Sequence, residues 1–173
     1  MKSNKTQMLV ITSLFAALIF IGTRLCIPVG INNRIVHVGD TLVYLSACIL
    51  PTPYAMASSA IGAGLSDFTT PGCMIWVIPT MIIKPILVLF FTSKNTKILN
   101  RRNVGAIFLA GITGIILYVI AEGMIYGSFA AALLGVPADL IQPIGSGVLF
   151  SALAYTFDTM KFKHNLNFNK HLK

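Results

Sequence analysis

Charged residues are scarce along this chain, and their scarcity limits what it can fold into. Only 10% of its 173 residues are charged, whereas 55% are hydrophobic. A soluble domain carries roughly 25% charged residues, so this chain has too few to cover a surface that faces water. We therefore predict that lipid faces most of the protein. About 20 apolar residues cross a bilayer, so the length allows around six crossings and no separate soluble domain.

The positive charges are confined to three polar segments, and their positions predict the topology. The formal net charge is +8, which in a soluble domain would point to nucleic acid. The basic residues instead precede the first apolar run, fill the polar gap at 94–102 and form the tail. They are Lys2, Lys5, Lys94, Lys97, Arg101, Arg102, Lys161, Lys163, Lys170 and Lys173. Because cytoplasmic segments are enriched in Lys and Arg, we predict cytoplasmic termini and no nucleic-acid partner.

Apolar runs separated by turn residues predict six helices in a single domain over residues 1–173. The runs cover Met8–Ile27, Thr41–Leu50, Tyr54–Leu65, Cys73–Thr92, Val104–Glu122 and Ala138–Thr159. The second and third are short, and span only if Val38–Asp40 and Ser66–Thr69 are added as their outer ends. A Gly-rich segment, Gly127–Pro137, is predicted as a turn region. The expected fold class is an all-α membrane protein, a six-transmembrane-helix bundle.

The segment Pro51-Thr52-Pro53 either kinks one helix or separates two. The N-terminus and the 94–102 segment are both basic, so an even number of crossings must lie between them. A hairpin of two helices meets this condition, whereas a single kinked helix would leave the 94–102 charges outside. The hairpin also gathers polar groups capable of recognition on the outer side. These are Arg34, His37, Asp40, Asp67, Glu122 and Asp139.

Ionisable residues inside a predicted span are costly in lipid, so each is a candidate functional residue. Lys84 lies about ten residues from either end of the fourth predicted helix, roughly 15 Å from the surface. It requires a partner or a water-filled cavity, and ligand contact, structural pairing and contact with a partner subunit all stay open. Glu122 shares a helix face with Tyr118 and Tyr126. These three residues either hold a flat heterocycle with N–H donors or form part of an interfacial belt.

Other polar residues stand near the outer ends of the predicted helices. Asp40 suits the N-cap of the second helix, and His37 before it could hydrogen-bond a substrate or Asp40. Asp67 ends the third helix. Trp76, the only tryptophan, either anchors the protein at the interface or stacks on an aromatic ligand. Gln142 must find a polar partner in the protein or in a ligand.

The polar residues form no catalytic constellation, so we expect no enzyme activity. The chain has no Ser–His–Asp arrangement and no paired acid and base. No second His or Cys stands at ligand spacing beside His37, so neither a metal nor a cofactor is predicted. A G-x-x-x-x-G-K-[ST] phosphate loop is also missing, so no ATP-binding domain is predicted.

Five short motifs follow one another along nearly the whole chain. They are Val36-His37-Val38-Gly39-Asp40 with Leu50-Pro51, Gly62-Ala63-Gly64-Leu65-Ser66-Asp67, Pro79-Thr80-Met81-Ile82-Ile83-Lys84, Ala121-Glu122-Gly123 with Tyr126-Gly127, and Pro137 with Ile141-Gln142. In this order and spacing they resemble the S components of energy-coupling factor (ECF) transporters. In that family a glycine often follows the lysine, whereas this chain has Pro85.

The resemblance implies a capture subunit in a bacterial cell membrane, which binds a vitamin or vitamin precursor from outside. Its partners would be a transmembrane coupling subunit, two cytoplasmic ATPase subunits and the lipid bilayer. The branch looks closest to those for hydroxymethylpyrimidine, pyridoxine or riboflavin. The small residues Ser13, Ala16 and Ala17 on the first helix would dock onto the coupling subunit.

Under this hypothesis the outer loops Pro28–Val38 and Thr69–Cys73 close over a bound heterocycle. The predicted substrate-binding residues are His37, Asp40, Asp67, Trp76, Lys84, Glu122, Tyr126 and Gln142. Two alternatives remain. The first is a stand-alone secondary transporter that couples to protons through Glu122 or Lys84, and the second is a membrane scaffold subunit without transport activity.

Overall fold

The computed structural model describes residues 2–29 and 34–165, most of which are helical. The helices are α1 (Lys2–Arg24), α2 (Gly39–Ile49), α3 (Thr52–Thr69), α4 (Val77–Val88), α5 (Arg101–Tyr126), α6 (Phe129–Asp139), α7 (Ile141–Thr159) and α8 (Phe162–Asn165). A 3-10 turn, Met74–Trp76, leads into α4. Residues 30–33 of the predicted outer loop, and Lys170 and Lys173 of the predicted basic tail, lie outside the described residues.

A small antiparallel hairpin follows α1. Strand β1 (Cys26–Val29) pairs with β2 (Arg34–His37), and Cys26 lies opposite His37. The first helix therefore ends at Arg24, earlier than the predicted Ile27. The hairpin returns the chain directly to the start of α2.

The two helices predicted on either side of Pro51 are separate helices in the structure. Leu50 is extended, and the carbonyl of Pro51 accepts hydrogen bonds from the backbone N–H groups of Tyr54 (3.0 Å) and Ala55 (3.1 Å). Proline is tolerated at a helix start because the N–H groups there have no partner within the helix.

The predicted turn region at Gly127–Pro137 is a helix over most of its length, so that prediction was wrong. Gly127 does end α5, at φ 70°, a left-handed conformation that favours glycine. The side chain of Ser128 then caps α6 by accepting a hydrogen bond from the N–H of Ala131 (3.3 Å). The apolar, alanine-rich sequence after Ser128 favours helix, and Pro137 is accommodated near its end. Helix α7 consequently begins at Ile141, not at Ala138.

Hydrogen bonds between distant residues identify one end of the bundle. Arg24 Nη1 donates to the carbonyl of Thr69 (2.9 Å) and to Thr70 Oγ1 (2.8 Å), which joins the last turns of α1 and α3. Gln142 joins the start of α7 to His37, just before α2. We call this end, where these contacts lie, the network end.

The opposite end carries the basic segment that follows α4. Asn103 at the start of α5 donates to Cys48 Sγ (3.1 Å) near the end of α2. Lys163 Nζ in α8 donates to the carbonyl of Asn95 (2.6 Å). Because exposed Lys94 and the neighbouring cations of 94–102 lie here, we call it the basic end.

Helix α2 forms the centre of the bundle, and nearly all its residues are buried. Its Tyr44 ring stacks on Phe91 (centroids 4.7 Å apart) and meets Phe150 edge-on (6.0 Å). Large apolar side chains such as Leu14 and Ile112 are exposed on the outer helices.

Helices of membrane-spanning length surround this core. Within the described part of the chain, three helical stretches are long and apolar enough to cross a membrane, namely Lys5–Arg24, Arg101–Tyr126 and Phe129–Thr159. Two further helices, Gly39–Ile49 and Met74–Val88, are apolar but shorter. Over residues 2–29 and 34–165 the chain is an all-α membrane protein apart from the β1–β2 hairpin.

Candidate functional site

A buried ion pair joins α2 to α4 towards the network end. Lys84 Nζ lies 2.5 Å from Asp40 Oδ1, and the two residues are only 3% and 5% exposed. A buried charge is costly unless it is paired, and here each group supplies the counter-charge of the other. Three roles were left open for Lys84, and the one observed in the structure is pairing with a residue of the same chain, Asp40.

The same pair corrects the role expected for Asp40. Helix α2 begins at Gly39, and Val38 occupies the N-cap position without a side-chain cap. Asp40 lies inside the first turn, and its carboxylate points to Lys84 instead of to the backbone. The N-cap prediction was wrong because the stronger partner lies 44 positions further along the chain.

Gln142 is the centre of the polar network around this pair. Its Nε2 donates to Asp40 Oδ2 (3.1 Å) and to the carbonyl of His37 (2.9 Å), and its Oε1 accepts from the N–H of His37 (2.9 Å). Nε2 also lies 3.3 Å from Ser146 Oγ, one turn along α7. Gln142 thus finds the polar partner predicted for it within the protein, and it ties α7 to the start of α2.

His37 is held as a neutral acceptor at the start of α2. Its Nδ1 accepts a hydrogen bond from the N–H of Gly39 (3.2 Å). Burial lowers the pKa of His37 to about 4, outweighing the opposite effect of nearby Asp40, while Lys84 adds to the lowering. The imidazole is therefore uncharged at neutral pH.

Gly39 and Thr23 meet closely beside His37. A β-carbon at Gly39 would lie 2.1 Å from Thr23 Oγ1, so only glycine fits at this position. The Thr23 hydroxyl is buried and has no hydrogen-bond partner among the described residues. It is a polar group beside the network that the sequence patterns did not single out.

Aromatic rings cover the ion pair on the side of α5. Lys84 Nζ lies 5.1 Å from the centroid of the Tyr118 ring, a distance at which a cation is attracted to an aromatic face. The ring of Trp76 is 6.1 Å from that of Tyr118 and 6.2 Å from that of Tyr126. Thr80 Oγ1 lies 3.3 Å from the Tyr118 hydroxyl.

The remaining predicted site residues lie at the margin of this cluster. Asp67, half-buried in the last turn of α3, interacts with Thr80. Glu122 is half-buried on α5, one turn from Tyr118 and one turn from Tyr126. The structure thus brings His37, Asp40, Lys84 and Gln142 into one network. Tyr118 links Trp76 to it, and Trp76 in turn contacts Tyr126.

Thr80 and Ser146 are network residues that the sequence reasoning missed. Thr80 lies four positions before Lys84, and Ser146 lies four positions after Gln142, and both Lys84 and Gln142 were identified from the sequence. Positions four apart share a helix face, so this spacing was the available signal.

The small residues predicted to contact a coupling subunit line a shallow groove between α1 and α3. The groove has a volume of about 440 Å³, and Ser13, Ala16 and Ala17 form one wall, with Ile61 and Leu65 opposite. Ser13 and Ala17 are exposed. Short side chains at these positions leave room for another helix to approach closely.

Three further observations bear on the kind of site. Among residues 2–29 and 34–165, no group of three or more His, Cys, Asp or Glu side chains is placed to hold a metal ion. The model of one protein family, described as the S component of an ECF-type riboflavin transporter, matches residues 3–158. No curated protein and no solved structure matches the chain.

Proposed function

Because the chain belongs to the S components of ECF transporters, we propose that it captures a small, neutral heteroaromatic vitamin or vitamin precursor at the network end. S components are non-enzymatic transport subunits. They bind a small molecule and work with a transmembrane coupling subunit and ATPase subunits. The ligand class and the residues that hold it are what we infer for this chain.

The buried pair of Asp40 and Lys84 carries the proposal. The two charges cancel, and Gln142 occupies the second carboxylate oxygen of Asp40. A charged ligand would be stripped of water without finding an uncompensated counter-charge in this pair, which is unfavourable. A neutral ligand avoids that cost.

The groups around the pair favour a flat ring with polar edges. Trp76 is half-buried and Tyr126 is exposed, so both offer ring faces for stacking, and stacked aromatic pairs are favourable beyond their buried area. The buried Thr23 hydroxyl has no hydrogen-bond partner among the described residues, so it is the group that we expect to hydrogen-bond a ring nitrogen or hydroxyl of the ligand. These features match the predicted ligands, hydroxymethylpyrimidine, pyridoxine or a riboflavin-like molecule, and the description of the matched family names riboflavin.

The bundle ends support a six-crossing topology, and we place the chain in a bacterial cell membrane, as the family resemblance implies. Arg24 meets Thr69 and Thr70, so α1 and α3 end on the same side and α2 returns between them. Lys163 meets Asn95, so the start of the tail lies on the same side as the 94–102 segment. With α6 and α7 counted as one interrupted crossing, all basic segments lie in the cytoplasm, and the network end faces outward.

The groove at Ser13, Ala16 and Ala17 is our proposed docking surface for the coupling subunit. It lies on the lipid-facing surface of α1 and α3, away from the ion pair. Ligand capture and subunit docking would thus use different surfaces of one domain.

Calorimetry on the purified protein tests the ligand class. Hydroxymethylpyrimidine, pyridoxine and riboflavin would each be titrated beside their phosphate monoesters, which differ by an added negative charge. We expect one neutral compound to bind at micromolar concentration or below, and its phosphate ester to bind at least tenfold more weakly. Equal binding of ester and parent compound, or no binding by any of the three, would contradict the proposal.

A further inference from the structure

A second groove on the lipid-facing surface has only apolar lining and lies apart from the proposed capture site. It has a volume of about 220 Å³ and runs between α1 and α7, with α2 as its floor. The wall residues include Leu14 and Leu18 of α1, Leu42 of α2, Leu153 and Phe157 of α7, and Phe162 of α8. A surface of this kind suits a hydrocarbon chain.

The groove is closed towards the basic end by two stacked rings. The rings of Phe157 and Phe162 are 4.9 Å apart at 22°. Helix α8 is fixed there because Lys163 Nζ donates to the carbonyl of Asn95. Exposed Lys161 directly precedes Phe162, which lines the groove, so a lysine follows the apolar lining at the basic end.

The backbone of Lys161 is strained. It is the only residue other than glycine with a positive φ among residues 2–29 and 34–165, at 51°. Its N–H donates to the carbonyl of Asp158 (3.2 Å) at the end of α7, where a left-handed residue is usually glycine. A lysine in a conformation that glycine adopts without strain points to a use for its side chain.

We propose that this groove binds one acyl chain of an anionic phospholipid and that Lys161 holds the phosphate of its headgroup. The arrangement places the apolar lining at hydrocarbon depth and the ammonium at the end of the helix, where headgroups lie. Lysine at a membrane surface is attracted to anionic lipid. The lipid would cover α1, α2 and α7 together at the basic end.

Native mass spectrometry from nanodiscs with equal amounts of phosphatidylglycerol and phosphatidylcholine tests the headgroup contact. We expect the wild-type protein to retain phosphatidylglycerol preferentially. Lys161→Gly should lower that retention about fivefold, the change expected for one lysine at an anionic surface. Because glycine suits the left-handed position, Lys161→Gly should leave the melting temperature unchanged or raise it, which separates loss of the headgroup contact from misfolding.

Matched variants complete the test. Lys97→Gln removes an exposed lysine from the same end of the bundle and should leave retention unchanged. Leu153→Trp fills the groove and should lower retention of both lipids, whereas Ala152→Trp, on the neighbouring exposed position of α7, should not. Equal retention of the two lipids by the wild-type protein, or undiminished phosphatidylglycerol on Lys161→Gly, would overturn the proposal.

Discussion

The ammonium of Lys84 lies 2.5 Å from the carboxylate of Asp40, although 44 positions separate the two residues. Gln142 donates to the other oxygen of that carboxylate, so helices α2, α4 and α7 meet at one polar point inside an apolar bundle. The aromatic residues Tyr118 and Trp76 lie beside it. The pair therefore ties the three helices together.

Removing one member of the pair should destabilise the protein strongly. Lys84→Met leaves the carboxylate of Asp40 buried and unpaired, which typically costs about 3–5 kcal/mol. The double variant Asp40→Asn/Lys84→Met carries no unpaired charge and should regain most of that stability. Unfolding in detergent micelles measures both, with Lys97→Met, at an exposed lysine, as the control. Full stability of Lys84→Met, or no recovery in the double variant, would contradict a structural pair.

Gln142→Ala should weaken ligand binding at least tenfold. It removes the hydrogen bonds that position His37 and the second oxygen of Asp40, and buried groups that lose their partners cost about 1–3 kcal/mol each. The same substitution at exposed Gln7, near the start of α1, is the matched control. Calorimetric titration of both variants gives the comparison, and similar affinities for the two would count against a role of the network in capture.

Stability should fall in acid because of His37. Burial lowers the pKa of this residue to about 4 from its ordinary value of 6.5. Between these pH values the unfolded chain binds a proton that the folded protein does not, so stability is full above pH 6.5 and declines towards pH 4. Titration of His37 should lower the free energy of unfolding by about 3 kcal/mol.

His37→Gln isolates this contribution, because a glutamine amide oxygen can accept from the N–H of Gly39 but does not titrate. Unfolding of both proteins would be followed from pH 4 to pH 8. The difference in stability between wild type and variant should change across the interval from 6.5 to 4. Parallel curves would show that His37 does not titrate with folding.

Ala17→Trp should block assembly with the coupling subunit without affecting ligand affinity. The bulky ring fills the groove at Ser13 and Ala16 that would admit a partner helix. Ala152→Trp introduces the same ring on the exposed surface of α7. Co-purification with the coupling subunit and calorimetry should separate the two functions. Normal assembly of Ala17→Trp would place the docking surface elsewhere.

The sequence predicted those parts of the fold that depend on local patterns. Low charge and long apolar runs predicted a helical membrane protein, and Pro51 marked the division between α2 and α3. The segment Gly127–Pro137 was wrongly predicted as a turn region because glycine and proline disfavour helix. Its apolar, alanine-rich sequence and the Ser128 cap favour helix more strongly.

The candidate site was predictable as a set of polar residues but not as a set of pairs. The cost of polar groups in lipid identified Lys84 and Gln142 as residues that need partners. Their partners depend on which helices pack together, and α2, α4 and α7 are far apart in sequence. Asp40 was therefore assigned to the nearest backbone instead of to Lys84. The Thr23 hydroxyl, which has no hydrogen-bond partner in the part of the chain that the structure describes, was not foreseen.

Fluorescence of Trp76 tests the central claim most directly, because it is the only tryptophan in the chain and lies at the aromatic edge of the site. Hydroxymethylpyrimidine, pyridoxine and riboflavin would be titrated into the wild-type protein and Gln142→Ala, with correction for absorption by the ligand. We predict saturable quenching at micromolar concentration or below by one neutral compound, shifted at least tenfold in the variant. If calorimetry shows that such a compound binds both proteins with equal affinity while the Trp76 emission is unchanged, ligand capture beside Trp76 is contradicted.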